Sequence, residues 1–277
     1  MRHFRPPVSP SGPLRLLKTG ALALALAASF VSAGTAFGQS AACPAFDHHH
    51  PSWTLFLDRY VQNGVVDYER IHGDESLLTS YLAELRTVCA DDHALWTRNQ
   101  KLAFWINAYN AFTIRLILDH YPIDSIRSIG FLPGAAFRKA FIQLPNLRDG
   151  WISLQTIEDD ILRAEFEEPR IHFAIVCASK SCPALASNAY TADALDFQLD
   201  RSARTFLADS TKNRWDASTR TFLLSSIFQW FRSDFEKPAG TLKQFLQRYV
   251  DPKISPEIGT DDVQLQFLAY DWSLNGK

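Results

Sequence analysis

Between Lys101 and Leu118 lies the stretch that most restricts what this chain can fold into. Leu102, Ala103, Phe104, Trp105, Ile106, Ala108, Ala111, Phe112, Ile114, Leu116, Ile117 and Leu118 leave almost no polar face at helical spacing. A helix that is apolar all round has to be surrounded, so the run predicts the centre of a domain. Tyr121-Pro122 closes it, because proline cannot continue the helical hydrogen bonding. At 277 residues the chain is long enough to build the surrounding layer.

The flanking segments supply that layer. Ser52 is placed to cap a helix carrying Trp53, Phe56, Leu57, Tyr60 and Val61, which Asn63-Gly64 ends. Leu77, Leu78, Tyr81, Leu82 and Leu85 mark a second helix. Leu154, Ile157, Ile161 and Leu162 mark another, opened by Thr156 and Asp159 in the spacing of a capping box. Thr191 precedes a helix bearing Leu195, Leu199, Ala203, Phe206 and Leu207, and Thr241 with Gln244 caps a short one ending near Val250. Ile171–Cys177, after Pro169, reads as an interior strand; Thr221–Leu224 and the alternating Val263–Phe267 read as two more. The expectation is one α+β domain over residues 52–277, a central buried helix with surrounding helices packed on a small, mainly antiparallel sheet. Residues 39–51 read as a flexible N-terminal segment.

Residues 1–38 differ in character. Arg2, Arg5, Arg15 and Lys18 precede an uncharged run from Ala21 to Val31, followed by small residues at Ala33, Ala36 and Gly38. Basic, apolar and small-residue regions in that order predict a secretory signal peptide, cut after Gly38 or after Ala33. The expected location is therefore periplasmic or extracellular, with membrane contact only through the transient signal. Across the whole chain 28 Lys+Arg face 30 Asp+Glu, and the signal takes four of the cations with it. The acidic remainder argues against a nucleic-acid partner. A small molecule or a peptide is the expected one.

Cys43, Cys89, Cys177 and Cys182 in an exported chain predict two disulfides, with three possible connectivities. The short Cys177–Cys182 spacing favours that pair together with Cys43–Cys89; a buried free thiol at Cys177 is the alternative. Lys180 between the cysteines favours thiolate, so Cys182 with His172 as base forms a candidate nucleophilic pair. Strand parity would put His172 and Cys177 on opposite faces. Asn107 and Asn110 sit three apart on the buried helix and need partners, either loops or a cavity. Asp271 continues the inward face of Val263, Leu265, Phe267 and Ala269, so a partly buried carboxylate is expected there. Asp47-His48-His49-His50 reads as surface histidines rather than a metal site. The chain has no glycine-rich phosphate loop, no HExxH and no GxSxG, so no cofactor or metal is expected.

Four separated runs carry a resemblance: Lys101–Ile114 (KLAFWINAYNAFTI), Tyr121–Arg127 (YPIDSIR), Arg170–Pro183 (RIHFAIVCASKSCP) and Tyr270–Asn275 (YDWSLN). Together they resemble the bacterial domain-of-unknown-function family 547 (DUF547), from about residue 53 to the C-terminus. The resemblance implies a single-domain architecture and no established reaction. Asp159 stands where a histidine is expected after the Ile-Glu pair. The motifs enclose Asn107, Asn110, His172, Cys177, Cys182 and Asp271, which implies one shared polar pocket. The order of elements is also loosely similar to papain- and transglutaminase-like enzymes, with Asn107 in place of their nucleophilic cysteine. Three activities stay open: a periplasmic binding or accessory protein with a polar pocket, a thiol-dependent hydrolase or transferase using Cys182 and His172, and a disulfide-active protein using Cys177 and Cys182.

Overall fold

Thr97 starts the central helix. Its hydroxyl accepts the Gln100 N–H at 3.2 Å, and Gln100 Oε1 accepts the Thr97 N–H at 2.8 Å, a reciprocal capping box. The helix runs Arg98–Leu118, and from Leu102 onward every residue but Arg115 is buried. Arg115 is held at the rim by Glu75 and by Asp119, the latter at 2.9 Å. The computed structural model describes residues 43–276; the expected signal peptide, residues 1–38, lies outside them.

Helices surround this axis. Pro51–Tyr60 and Ser76–Thr87 pack on each other, and Trp53 stacks between Phe56 and Tyr81 with ring centroids 4.8 and 5.1 Å away. Pro51 takes the first turn of the former, where its missing N–H costs nothing; the Ser52 hydroxyl donates instead to Glu84 at 2.6 Å. Residues 43–50 are packed rather than loose. Phe46 lies against Trp96 and Phe104, and the buried His50 places Nδ1 2.7 Å from the Tyr81 hydroxyl. Burial pushes the His50 imidazole down to about 3, so it is a neutral core residue and not a surface one. The disulfide Cys43–Cys89 ties this segment down.

Among the described residues the strands form three small sheets. Val61–Gln62 pairs antiparallel with Val65–Val66, and Ile142–Gln143 with Trp151–Ile152. Arg214–Asp216 pairs antiparallel with Thr221–Leu224, which pairs in parallel with Gln264–Phe267, Phe222 opposite Leu265. The α+β class is therefore as expected, with helices packed round small, mainly antiparallel sheets. A second apolar cluster, built on Phe173, Phe206, Phe222, Phe228, Phe235 and Phe245, lies beside the first, and Tyr270 packs against both. Among the described residues no helix is long and apolar enough to cross a membrane.

Ile171–Cys177 is not a strand. Pro169–Phe173 is a 3-10 turn, and the chain then runs on without a strand neighbour. The groups a neighbour would have paired are taken by one side chain: Asn110 donates to the Ala174 carbonyl at 2.9 Å and accepts the Val176 N–H at 2.8 Å. Burial of the apolar run is thus satisfied from the central helix instead of from a sheet.

Candidate functional site

A cleft of about 190 Å³ opens where the two apolar clusters meet. Its walls are mainly apolar, from Phe137, Ile175, Ile227, Trp230, Phe231 and Trp272. Tyr109, Glu158, His172, Tyr270 and the disulfide Cys177–Cys182 supply the polar and reactive groups.

The central helix and its neighbours set these groups one by one. The Tyr109 hydroxyl donates to Glu158 Oε2 at 3.2 Å. Glu158 sits on Thr156–Arg163, a stretch of π-helical turns, a rare geometry that is frequent at functional sites. Burial pushes its carboxyl up to about 7, and the Asp159 charge adds to this against the Tyr109 hydrogen bond. Glu158 therefore exchanges a proton near neutral pH.

His172 is buried, stacked on Phe231 with ring centroids 4.0 Å apart. Its Nε2 lies 2.9 Å from Asp234 Oδ2. Burial works against ionisation of Asp234, but hydrogen bonds from His172 and Arg163 hold its carboxyl far below the ordinary range. An ionised carboxylate only accepts, so Nε2 carries the proton. Burial keeps the imidazole itself neutral, below its usual value, despite that carboxylate. Arg163 grips Asp234 with Nε at 2.6 Å and Nη2 at 3.1 Å, and reaches Asp159 with Nη1 at 2.6 Å. Asp159, which stands in place of an expected histidine, thus anchors the arginine that fixes the His172 partner.

Both expected disulfides are closed, Cys43–Cys89 and Cys177–Cys182, and no cysteine is free among the described residues. Cys182 is buried, 3% exposed, while Cys177 is partly exposed. Cys182 Sγ accepts the Cys177 backbone N–H at 3.0 Å. The Tyr270 hydroxyl lies 3.2 Å from Cys182 Sγ and 3.1 Å from Cys177 Sγ. Oxidised sulfur has no proton, so the phenol is the donor. Burial raises the phenol well above its ordinary value and the Glu158 charge adds to that, so it stays protonated.

The expected shared polar pocket does not form, since Asn107, Asn110 and Asp271 do not line the cleft. Asn107 holds the Tyr190 backbone instead, donating to its carbonyl at 2.8 Å and accepting its N–H at 3.0 Å. Asn110 grips Ala174 and Val176 in the same way. Asp271 is exposed: the alternation that suggested an inward face stops at Phe267, and the carboxylate turns back to accept from Ser273 at 2.8 and 2.6 Å. Of the proposed site residues, His172, Cys177 and Cys182 do line one cleft. The parity argument that separated His172 from Cys177 fails with the strand on which it rested. Sequence reasoning missed Glu158, Asp234 and Tyr270. Tyr270 stood beside Asp271 in a quoted motif, and Glu158 stood inside an apparent capping box. Asp234, 62 residues from His172, gave no signal. Among the described residues no group of three or more His, Cys, Asp or Glu is placed to hold a metal ion.

Fold and cleft together define an α+β protein whose disulfide lies in the wall of an aromatic cleft. Residues 93–207 match the family described as protein of unknown function, DUF547, and over that stretch the resemblance drawn from the motifs is shown. The matched stretch holds Tyr109, Glu158, His172 and both cleft cysteines, while Asp234, Tyr270 and Trp272 lie beyond it. No curated protein and no solved structure matches the chain.

Proposed function

We propose that the protein performs thiol–disulfide exchange on an apolar peptide segment bearing thiols or a disulfide, in an oxidising compartment outside the cytoplasm. The leader pattern of residues 1–38 and two closed disulfides support that location. The observation that carries the chemistry is the pair of donors on Cys182 Sγ, the Cys177 N–H and the Tyr270 hydroxyl. They stand where negative charge develops if Cys182 is the leaving sulfur.

A partner thiolate attacks the Sγ of Cys177, the more exposed cysteine; the Cys177–Cys182 bond breaks and Cys182 leaves as a thiolate. The second thiolate of a dithiol partner then attacks the partner sulfur of the mixed disulfide and releases Cys177. Two electrons and two protons leave the partner, which becomes a disulfide, and the Cys177/Cys182 pair is reduced. His172, with Nε2–H committed to Asp234, keeps Nδ1 as the acceptor for the proton of an entering thiol. The aromatic walls favour apolar residues beside the reacting cysteine.

Equilibration with graded mixtures of reduced and oxidised glutathione, read by mass after alkylation, tests the reading. Cys177–Cys182 is expected to open and close reversibly while Cys43–Cys89 stays closed, and the lone Cys177 thiol of C182S is expected to attack the disulfide of a single-cysteine peptide dimer and retain one half as a mixed disulfide, the other half leaving as its thiol. A Cys177–Cys182 bond that stays closed in the folded protein under all these mixtures refutes it, and leaves the cleft as a binding site without chemistry.

A further inference from the structure

Cys182 and Pro183, which line the aromatic cleft, also border a second one. This cleft, about 220 Å³, is lined by Lys180, Lys212, Asn63, Asn275 and the Cys182–Pro183–Ala184 segment. Gly64 forms its far edge: with φ at +78° it closes the Val61–Val66 hairpin so tightly on Ala184 that any Cβ would collide. Among the described residues no carboxylate lines this cleft. Lys180 is exposed and makes no ion pair among the described residues, its nearest acidic influence being Asp271; Lys212 is paired with Asp209 at 2.8 Å. Asn275 Oδ1 is occupied by the Tyr68 hydroxyl at 3.0 Å, which leaves its N–H groups to donate. One cysteine thus borders both an aromatic chamber and a cationic, donor-rich one.

We infer that the second cleft binds a small carboxylate-bearing disulfide, of the glutathione class, which recloses the Cys177–Cys182 pair by way of Cys182. The inference rests on the exchange reading and adds the oxidant that the pair needs. The Cys182 thiolate attacks one sulfur of the small disulfide, forms a mixed disulfide and releases one small thiolate. The Cys177 thiolate then attacks Cys182 Sγ, the protein bond closes and the second small thiolate leaves. Two electrons pass to the small disulfide, which ends as two thiols. The aromatic cleft remains available to the peptide partner, so oxidant and substrate do not compete for one space.

The test compares three small disulfides reoxidising the reduced protein: oxidised glutathione (anionic), hydroxyethyl disulfide (neutral) and cystamine (cationic). Each rate is normalised to its reaction with a free small thiol. A unit charge at ~6 Å in water changes an encounter roughly threefold. The anionic probe is therefore expected to exceed the cationic one, and Lys180→Glu, a two-unit reversal at an exposed position, to shift each of these two rates by up to about tenfold in opposite directions and their ratio by up to about a hundredfold, with Lys180→Gln between. A ratio that K180E leaves within twofold overturns the second cleft as a carboxylate site. If even hydroxyethyl disulfide fails to close the pair, the exchange reading itself falls. If it succeeds without charge preference, only the second cleft does.

Discussion

Tyr270→Phe removes one hydroxyl and keeps the aromatic packing, since ring centroids of Trp230 and Trp272 lie 4.8 and 4.6 Å from the Tyr270 ring. That hydroxyl stands 3.2 Å from Cys182 Sγ. Its hydrogen bond is weak to a neutral disulfide sulfur and strong to a thiolate, where a bond to a charged group is worth roughly 1.5–3 kcal/mol. The difference favours the opened pair. Losing it is expected to raise the Cys182 thiol pKa by about one to two units. For a two-electron couple it makes the pair more reducing by up to about 30–60 mV. The assay is the glutathione equilibrium of wild type and Y270F at pH 7, with thiolate absorbance titrated separately. An unchanged potential together with an unchanged thiol titration refutes the argument, because it would mean that Tyr270 does not support the leaving sulfur.

Other perturbations follow from the same geometry. Glu158 binds more protons folded than unfolded between its ordinary value of 4.5 and about 7, so stability falls as pH rises through that window and levels off above it; Glu158→Gln is expected to flatten the slope, read by urea unfolding from pH 4.5 to 8. Asn110→Ala orphans the Ala174 carbonyl and the Val176 N–H, at about 1–3 kcal/mol each, so a loss of roughly 2–6 kcal/mol is expected by the same denaturation, and a loss under about 1 contradicts the tie. Replacing Cys43 and Cys89 together by Ser releases a loop with a sequence separation of 46, for which chain entropy gives about 4 kcal/mol. That cost is expected as a drop in melting temperature, with the cleft disulfide still closed.

The central helix was legible because twelve apolar residues leave it no polar face, and no tertiary context changes that. Its start was not located, although Thr97 and Gln100 have capping-box spacing directly ahead of the run. Both disulfides were favoured from spacing alone. Ile171–Cys177 misled because an apolar run says that a segment is buried without saying what pairs with its backbone; here Asn110 supplies the pairing from a distance of over sixty residues. Asn107 and Asn110 were correctly singled out as buried amides that need partners, and the structure assigns them to main chain. Asp271 misled for the opposite reason, since strand alternation was extended past the end of the strand. Glu158 looks like a solvent-facing acid in Glu158-Asp159-Asp160 at α-helical spacing; the wider π turns carry it to the cleft. The Asp234 contact with His172 depends on how a later helix, Arg232–Ala239, docks, and no local pattern encodes that.

The chain on either side of the cleft disulfide is anchored to something other than its partner sulfur. Asn110 clamps Val176 just ahead of Cys177, and beyond it Ala178, Lys180 and Ser181 bond to the backbone of Asn275, Ser273 and Asp271. Cleaving the bond therefore releases little slack, and the two sulfurs remain near neighbours at high effective concentration. A captured partner would face a resolving thiol already waiting at its elbow, so such adducts should be short-lived unless that thiol is removed.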